Sequence, residues 1–238
     1  MRLATGWRIL LCALIGFATP AQAQQGPVVV ELFTSQGCAA CPPADKLLES
    51  LADREDVIAL GLHVDYWDYI GWADSFGQDK FSNRQKAYAR AKGRSSVYTP
   101  QMIVGGIDEV KGSSMAQVMG TIGTHLSMKL TYDGVRINLS GTRGKDVSIE
   151  AVAPEGLPYA ADVQLVRYKD AEDVEIMAGE NAGRTISYRN IVTSWNVLGT
   201  WDGVGTFRRT VDVEGTDAVV IVIQEQGMGP IIAAARQR

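Results

Sequence analysis

The first 127 residues alternate between short apolar runs, which are typical of buried strands, and longer stretches with the apolar spacing of helices. The predicted elements, in chain order, are a strand at 28–33, a helix at 44–52, a strand at 57–64, a polar helix that ends near residue 93, strands at 101–104 and 107–110, and a helix at 113–126. The dipeptide Gly105-Gly106 is a hairpin turn signal. This alternation of strands and helices predicts an α/β arrangement for the first half of the chain.

From residue 129 onward the pattern changes to short runs in which apolar and polar positions alternate. The runs are at 129–132, 135–139, 147–152, 163–168, 207–213 and 218–223, and turns rich in Gly, Asp and Asn separate them. This pattern predicts an antiparallel β domain, a small sandwich of about 110 residues. We expect the boundary near Ser127, with one domain at 24–127 and the other at 128–238.

Two cysteines, Cys38 and Cys41, lie between the first predicted strand and the first predicted helix. A C-x-x-C pair at such a junction is the pattern of a thioredoxin-like redox site, because the spacing lets both sulfurs close a disulfide while the first stays open to attack. Pro100 precedes the third predicted strand, and in a thioredoxin fold a proline at this place is cis and faces the disulfide. We therefore predict a thioredoxin-like α/β domain with a helical insertion, followed by the antiparallel, sandwich-like β domain.

The N-terminus has the three parts of a secretory signal. An arginine-containing start is followed by an apolar run at 9–17 and by a small-residue cleavage site that ends at Ala23. We predict that residues 1–23 are removed, which takes away Cys12 and leaves only the C-x-x-C pair. The mature protein is expected to be periplasmic or secreted, where disulfides persist, and to have no membrane segment.

Charge and motifs narrow the function classes. The net charge is −4, and acidic and basic residues are mixed along the whole chain. The sequence has no basic stripe of the kind that indicates nucleic-acid binding. It also has no cationic amphipathic helix of the kind that indicates binding to a membrane surface. No glycine-rich loop has the setting of a nucleotide site, and no Ser/His/Asp set indicates a hydrolase. Thiol chemistry needs no organic cofactor, so none is expected, and the oligomeric state stays open.

Glu31 is an acid within the otherwise apolar first strand, seven residues before Cys38. A buried carboxylate near the cysteines can accept a proton from the resolving thiol, and we predict this role for Glu31. The alternative is a structural contact at the sheet edge or with nearby backbone. Pro42 and Pro43 follow the cysteine pair directly and have no N–H to donate, which leaves the degree of thiolate stabilisation open.

An aromatic cluster follows the second predicted strand and includes Trp67 and Trp72. These side chains are suited to form an apolar wall for a substrate peptide beside the disulfide, and the alternative is packing between the helical insertion and the β domain. His63 lies near the end of the same strand. Its imidazole and the two cysteine thiolates are a ligand set suited to Cu(I), and the alternative is a hydrogen-bonded core histidine.

Several motifs together resemble a family of exported bacterial thioredoxin-like proteins of unknown function. They are residues 31–38 (ELFTSQGC), the prolines after Cys41, and the segments 63–68 (HVDYWD), 98–101 (YTPQ) and 179–181 (GEN). The resemblance covers nearly the whole mature chain. It implies the fold, the export and a redox-type motif, but it implies no substrate.

The sequence therefore predicts an exported thiol–disulfide oxidoreductase that acts on protein or small-molecule disulfides, with Cys38 as nucleophile and Cys41 as resolving thiol. The predicted catalytic residues are Cys38, Cys41, Pro100 and Glu31, and the predicted substrate-binding residues are Thr99, Trp67 and Trp72. Two alternatives stay open. One is a copper-handling protein that binds Cu(I) through Cys38, Cys41 and His63, and the other is a non-catalytic binding module with a structural disulfide.

Overall fold

The computed structural model describes residues 26–127 and 134–237. Strands account for 43% and helices for 19% of the structure, so the described part of the protein is mostly β. The helices are α1 (Pro42–Ala52), α2 (Asp79–Ala91) and α3 (Met115–Ser127), and a short 3-10 helix lies at Asp68–Ile70. The strands are β1 (Val28–Thr34), β2 (Val57–His63), β3 (Gln101–Val104), β4 (Asp108–Lys111), β5 (Arg136–Ser140), β6 (Asp146–Val152), β7 (Ala161–Ile176), β8 (Arg184–Trp201), β9 (Phe207–Asp212), β10 (Ala218–Glu225) and β11 (Ile231–Arg236). No helix in the two described ranges combines the length and the apolar character that crossing a membrane requires.

Eight strands form one mixed sheet in the order β11-β10-β7-β8-β2-β1-β3-β4, and a second sheet has the order β5-β6-β9. β1 runs parallel to β2 and antiparallel to β3. β8 joins the other edge of β2 in parallel through the pair Gly61 and Ile191. The side chain of Asn190 supports this junction, because its Nδ2 donates to the Ala59 carbonyl at 2.8 Å. The large sheet therefore contains strands from both halves of the chain.

The predicted fold class, a thioredoxin-like α/β domain followed by a separate antiparallel β domain, is wrong. Strands β7, β8, β10 and β11 extend the sheet of β1 to β4 instead of forming a domain of their own. The physical reason is that alternation of apolar and polar residues identifies a strand but not the edge to which the strand pairs. Without β8, the second edge of β2 would present unpaired backbone groups to solvent, and β8 pairs with this edge at Gly61.

Many of the individual elements agree with the sequence pattern. The predicted strands at 28–33, 57–64 and 101–104 and the helix at 44–52 are confirmed within two residues at each end. The pattern predicts neither β8 nor β11. In β8, polar residues around Asn190, whose φ is 48°, interrupt the apolar alternation, and so the strand carries no clear signal of its own.

Some predictions fall where the structure gives no description. The proposed signal segment at 1–23 and the short strand at 129–132 lie outside the described residues. The proposed division between residues 127 and 128 borders the same gap, and it stays a prediction.

Apolar clusters on the two faces of β1 position the cysteine pair. Side chains alternate between the faces of a strand, so Leu32 packs with α1 and α3, whereas Phe33 packs on the opposite face with Tyr88 of α2. A third cluster lies between the three-stranded sheet and the part of the large sheet formed by β7 and β10. Each buried side chain of the size of Leu contributes about 1.5–3 kcal/mol. This packing fixes the start of α1 against the carboxyl end of β1.

Candidate active site

The two cysteines form a disulfide where β1 passes into α1. β1 ends at Thr34, a tight turn follows, and Cys41 is the N-cap residue of α1. The Cα atoms of Cys38 and Cys41 are 5.4 Å apart, and the Cys41 amide donates to the Cys38 carbonyl at 3.1 Å. This Cα separation is within the usual range for a disulfide. The bond that the spacing predicts is therefore present, and its redox activity stays a prediction.

Two prolines shape the start of α1. Pro42 and Pro43 occupy the first two positions of the helix, so neither position has a backbone N–H that can point toward a sulfur atom. The next amide, that of Ala44, donates to the Cys41 carbonyl at 2.8 Å. The helix therefore acts on the sulfur atoms through its dipole, without a free amide at its first three positions.

A segment after β2 packs over the turn that carries the first cysteine. Cys38 is 1% exposed and Cys41 is 0% exposed, although the two residues between them are exposed. Trp67 and Ile70 lie so close to Gly37 that a side-chain carbon there would be 3.3 Å from each. The two cysteines are therefore sheltered from solvent in the structure.

Hydrogen bonds tie this cover segment, residues 65–78, to the turn before Cys38. The Gln36 amide donates to Asp74 Oδ2 at 2.8 Å, and the Trp72 indole N–H donates to Gln36 Oε1 at 2.8 Å. These bonds are buried or half-buried, where hydrogen bonds are electrostatically stronger than in water. Trp72, a predicted substrate-binding residue, thus already has a partner within the site.

The tip of the hairpin formed by β7 and β8 also reaches the turn at residues 35–38, which we call the cysteine turn. Asn181 is 1% exposed, and its Nδ2 donates to the Gln36 carbonyl at 2.8 Å and to the Cys38 carbonyl at 3.0 Å. These two carbonyls lie on either side of Gly37. From the sequence, the segment 179–181 is expected either to contact the first domain or a partner or to build a tight turn; in the structure its Asn181 holds the backbone of the turn before Cys38.

Thr99 and Pro100 border the same region. The peptide bond between them is cis, and the Trp67 indole N–H donates to Thr99 Oγ1 at 2.7 Å. A side-chain carbon at Gly112 would be 3.1 Å from Pro100 and 3.2 Å from Ala44, which places Pro100 beside the first turn of α1. The structure thus brings these predicted residues together around the cysteine turn, and their roles in substrate binding and catalysis stay predictions.

Glu31 lies elsewhere. Its neighbour Leu32 faces α1, so Glu31 projects from the opposite face of the sheet. The Arg84 guanidinium donates to its two oxygens at 2.6 and 2.9 Å, and the Tyr88 hydroxyl donates at 2.6 Å. The structure therefore places Glu31 against α2, on the side of β1 away from α1. Its predicted role as a proton acceptor stays a prediction, without a contact that supports it.

A different acid lies under the first turn of α1. Asp45 is 4% exposed, and its Oδ1 accepts a hydrogen bond from Thr34 Oγ1 at 2.7 Å. Its Oδ2 is buried and has no hydrogen-bond partner among the described residues. Burial raises the pKa of Asp45 from 3.8 to about 7, although the nearby His63 and the Thr34 hydroxyl act to lower it. Asp45 is therefore an acid that can gain or lose its proton near neutral pH.

Asp45 belongs to a buried titratable cluster with His63, Asp74 and Tyr188. His63 Nδ1 and Asp74 Oδ2 are 2.7 Å apart, and the rings of His63 and Tyr188 pack edge to face at 4.9 Å between centroids. Burial acts to raise the pKa of Asp74, but the charge of His63 and hydrogen bonds outweigh it and lower the pKa. Burial, with the charges of Asp45 and Asp74, raises the pKa of Tyr188. Several groups that can bind a proton therefore lie close together beneath α1, the helix that begins at the cysteine pair.

From the sequence pattern, Asp45 is not expected to be a site residue. The available signal is its position four residues after Cys41, because residues i and i+4 lie on the same face of a helix. That face also carries the buried Ala44 and Leu48. An acid on an otherwise apolar, buried helix face is unusual, because Asp is rarely buried without a partner or a function.

The copper alternative gains no support from this geometry. No group of three or more His, Cys, Asp and Glu side chains in the described part of the chain is arranged to hold a metal ion. His63 is engaged by Asp74, and both cysteines are in the disulfide.

Comparison with known proteins provides a family and a structural relative. A family model described as "Protein of unknown function (DUF1223)" matches residues 29–224, a range that includes the cysteine pair, the cover segment and Asn181. The crystal structure of protein AGR_C_4864 from Agrobacterium tumefaciens is 31% identical, with a TM-score of 0.74, and the match covers 90% of this chain and 95% of that chain. No curated protein matches the chain significantly. None of these findings specifies a reaction.

Proposed function

Because the chain belongs to the DUF1223 family, whose function is unknown, we propose its function from the site itself: thiol–disulfide exchange through Cys38 and Cys41. The observation that carries the proposal is the disulfide between cysteines three residues apart at the start of α1. A loop this short restricts the unfolded chain little, so stabilisation is a weak reason for the bond. The proposed substrate is a protein or small-molecule disulfide.

Exchange in the reducing direction begins when the Cys38 thiolate attacks a sulfur of the substrate disulfide. The substrate S–S bond breaks, one substrate sulfur leaves as a thiolate, and the other forms a mixed disulfide with Cys38. Cys41 then attacks the Cys38 sulfur, which closes the Cys38–Cys41 bond and releases the second substrate sulfur. The substrate gains two electrons, and the cysteine pair loses them. We assign the first attack to Cys38 because Cys41 is part of α1 as its N-cap.

Attack at Cys38 requires the cover segment to move. Trp67 and Ile70, which pack against Gly37, are both half-buried, so each already contacts solvent. Tyr69 between them is 82% exposed, and its ring stacks on Trp67 at 6.5 Å between centroids. An apolar substrate segment that binds this aromatic pair can replace the packing of Trp67 on the cysteine turn. The cover segment thereby serves as the proposed substrate contact.

Alkylation of the reduced protein over a range of pH tests the proposal, with Cys38 and Cys41 quantified separately by mass spectrometry. We expect Cys38 to react faster, with an apparent pKa below the unperturbed value of about 8.5, because the α1 dipole favours its thiolate. Cys41 is expected to stay protected within the helix. In the presence of a small disulfide, C41S should accumulate a mixed disulfide, since the resolving thiol is missing.

C38S is the matched control for that trapping experiment, because it keeps one thiol of the pair but removes the proposed nucleophile. If C38S traps the small disulfide as well as C41S does, the assignment of Cys38 as the nucleophile is wrong. The exchange function itself is wrong if both thiols react only after the protein is unfolded, in which case the disulfide is structural and the protein is a non-catalytic module.

A further inference from the structure

Asp45 and Cys41 share one face of α1 at its start. The Asp45 amide donates to the Cys41 carbonyl at 3.1 Å, so the two residues are one helical turn apart. Side chains at i and i+4 lie one above the other on the same helix face. Cys41 is 0% exposed and Asp45 is 4% exposed, so this shared face is the buried one. The Asp45 carboxyl group is thus the acid on the buried side of the resolving cysteine.

The two oxygens of the Asp45 carboxyl group differ in their hydrogen bonding. Its Oδ1 is occupied by the Thr34 hydroxyl, whereas its Oδ2 is buried without a partner among the residues that the structure describes. An unsatisfied buried acceptor costs about 1–3 kcal/mol, so such an atom in a native protein calls for an explanation. Protonation removes the negative charge of this buried group and makes Oδ2 an O–H donor, so the atom is a place where a proton can be taken up and given back.

We propose that the Asp45 carboxylate accepts the proton of the Cys41 thiol when Cys41 resolves the mixed disulfide on Cys38; this inference rests on the exchange function proposed above. In this step the Cys41 S–H bond breaks and its proton moves to Asp45 Oδ2. The Cys41–Cys38 bond forms, and the bond between Cys38 and the substrate sulfur breaks, with the electron pair leaving on the substrate thiolate. In the opposite direction Asp45 returns the proton to Cys41.

The groups that face Asp45 suit this role. Thr34 approaches from β1, His63 from β2, Asp74 from the cover segment and Tyr188 from β8. Burial raises the pKa of Asp45 to about 7, and His63 limits the rise. The acid is therefore partly ionised at neutral pH, which is the condition for efficient proton transfer in both directions.

The test is a stopped-flow reaction of the reduced full chain with Ellman's reagent, which releases one coloured thiolate in each of two steps. The first release reports attack by Cys38, and the second reports resolution by Cys41. For D45N at about pH 7 we expect an unchanged first phase and a second phase slowed about 100-fold, because the proton acceptor is missing. The difference should shrink as the pH rises past about 8.5, where solvent removes the thiol proton.

E49Q provides the matched control, since it makes the same change from carboxylate to amide on α1 but at a partly exposed site where the ion-pair partner is Lys46. T34V provides an independent readout. The Thr34 hydroxyl lowers the pKa of Asp45, so its removal should move the low-pH decline of the second phase to higher pH. This variant keeps the proposal falsifiable if D45N fails to fold.

A second phase in D45N with the wild-type rate and pH profile overturns the role of Asp45, as does an equal slowing in E49Q or an unshifted profile in T34V. Failure of the exchange function has a different signature. In that case the wild-type protein itself shows neither phase while folded, and both proposals are wrong together.

Discussion

At the scale of single residues, two buried carboxyl groups on opposite sides of β1 have different surroundings. Glu31 receives hydrogen bonds from the charged Arg84 guanidinium and from the Tyr88 hydroxyl. Asp45 receives one bond, from the neutral Thr34 hydroxyl. A cation with two hydrogen bonds replaces much of the hydration that a carboxylate loses on burial, whereas one hydroxyl does not. Glu31 therefore serves an ion pair, and Asp45 is available for proton exchange.

E31Q replaces the buried Glu31 carboxylate with a neutral amide. The substitution leaves the guanidinium of Arg84, whose side chain is 11% exposed, without its counter-ion. We expect the free energy of unfolding to fall by about 3 kcal/mol, because a charge that is buried without its partner is costly. Urea unfolding monitored by fluorescence measures the loss, and E49Q again serves as the control. Wild-type stability combined with slowed disulfide exchange would contradict this prediction and favour the proton-accepting role predicted from the sequence.

At the scale of elements, the start of α1 combines an N-cap cysteine with two prolines. A helix N-terminus normally offers several free amides that stabilise a nearby thiolate. Pro42 and Pro43 remove two of them, and the Ala44 amide is already bonded to Cys41. The start of α1 is therefore well suited to form a helix, since proline is favourable in the first turn. It stabilises a nearby thiolate less than an ordinary helix start does, because fewer free amides are present.

Replacing Pro43 tests this interpretation. Pro43 is exposed, and P43A adds a free N–H at the second position of the helix. We expect the apparent pKa of the Cys38 thiol in the reduced protein to fall by about half a unit, in line with the energy of charge interactions at a helix terminus. The measurement is the pH dependence of alkylation described above. P154A changes an exposed proline outside the site, and a similar shift in that control would refute the explanation.

At the scale of the whole molecule, β8 connects the disulfide site to the rest of the protein. Asn181, just before this strand, binds the cysteine turn, Tyr188 packs on His63, and Asn190 binds β2. Gln224 of β10 adds a further link, because its Nε2 donates to the Tyr88 hydroxyl at 2.9 Å. The stability of the site and that of the large sheet are therefore coupled, and global unfolding reports on the buried cluster.

This coupling predicts a pH dependence of stability that D45N removes. The pKa of Asp45 rises from 3.8 to about 7 on folding. Between these values the unfolded chain is ionised at this position and the folded chain keeps the proton, so stability falls as the pH rises and the loss is complete above about pH 7. The difference corresponds to about 4 kcal/mol.

We therefore expect the stability of D45N, relative to the wild type, to increase by up to about 4 kcal/mol from about pH 4 to about pH 8. Urea unfolding of both oxidised proteins at the two pH values measures this change. All other titrating groups are common to the two proteins and cancel to first order. A stability difference that is independent of pH would show that Asp45 keeps an ordinary pKa in the folded protein.

The local pattern was sufficient for elements whose signal lies within a few neighbouring residues. The apolar run of β1, the amphipathic α1 and the turn at Gly105-Gly106 all correspond to structure. The signal for β8 was insufficient, because its polar residues bind partners that are distant in sequence. Asn190, for example, satisfies the carbonyl of Ala59. Such a residue looks like part of a loop until its partner is known.

By itself, the sequence determined the cysteine spacing, the helix that begins after it, and the disulfide that joins Cys38 to Cys41, because all of these depend on contacts within one or two turns of chain. Only the tertiary structure decided which acid lies under the helix, where Asn181 binds, and how the two halves share one sheet. The reason is that burial, pKa and strand pairing arise from groups far apart in sequence. Alternation along the chain predicts that a residue is buried, but it does not predict which residues the buried side chain contacts.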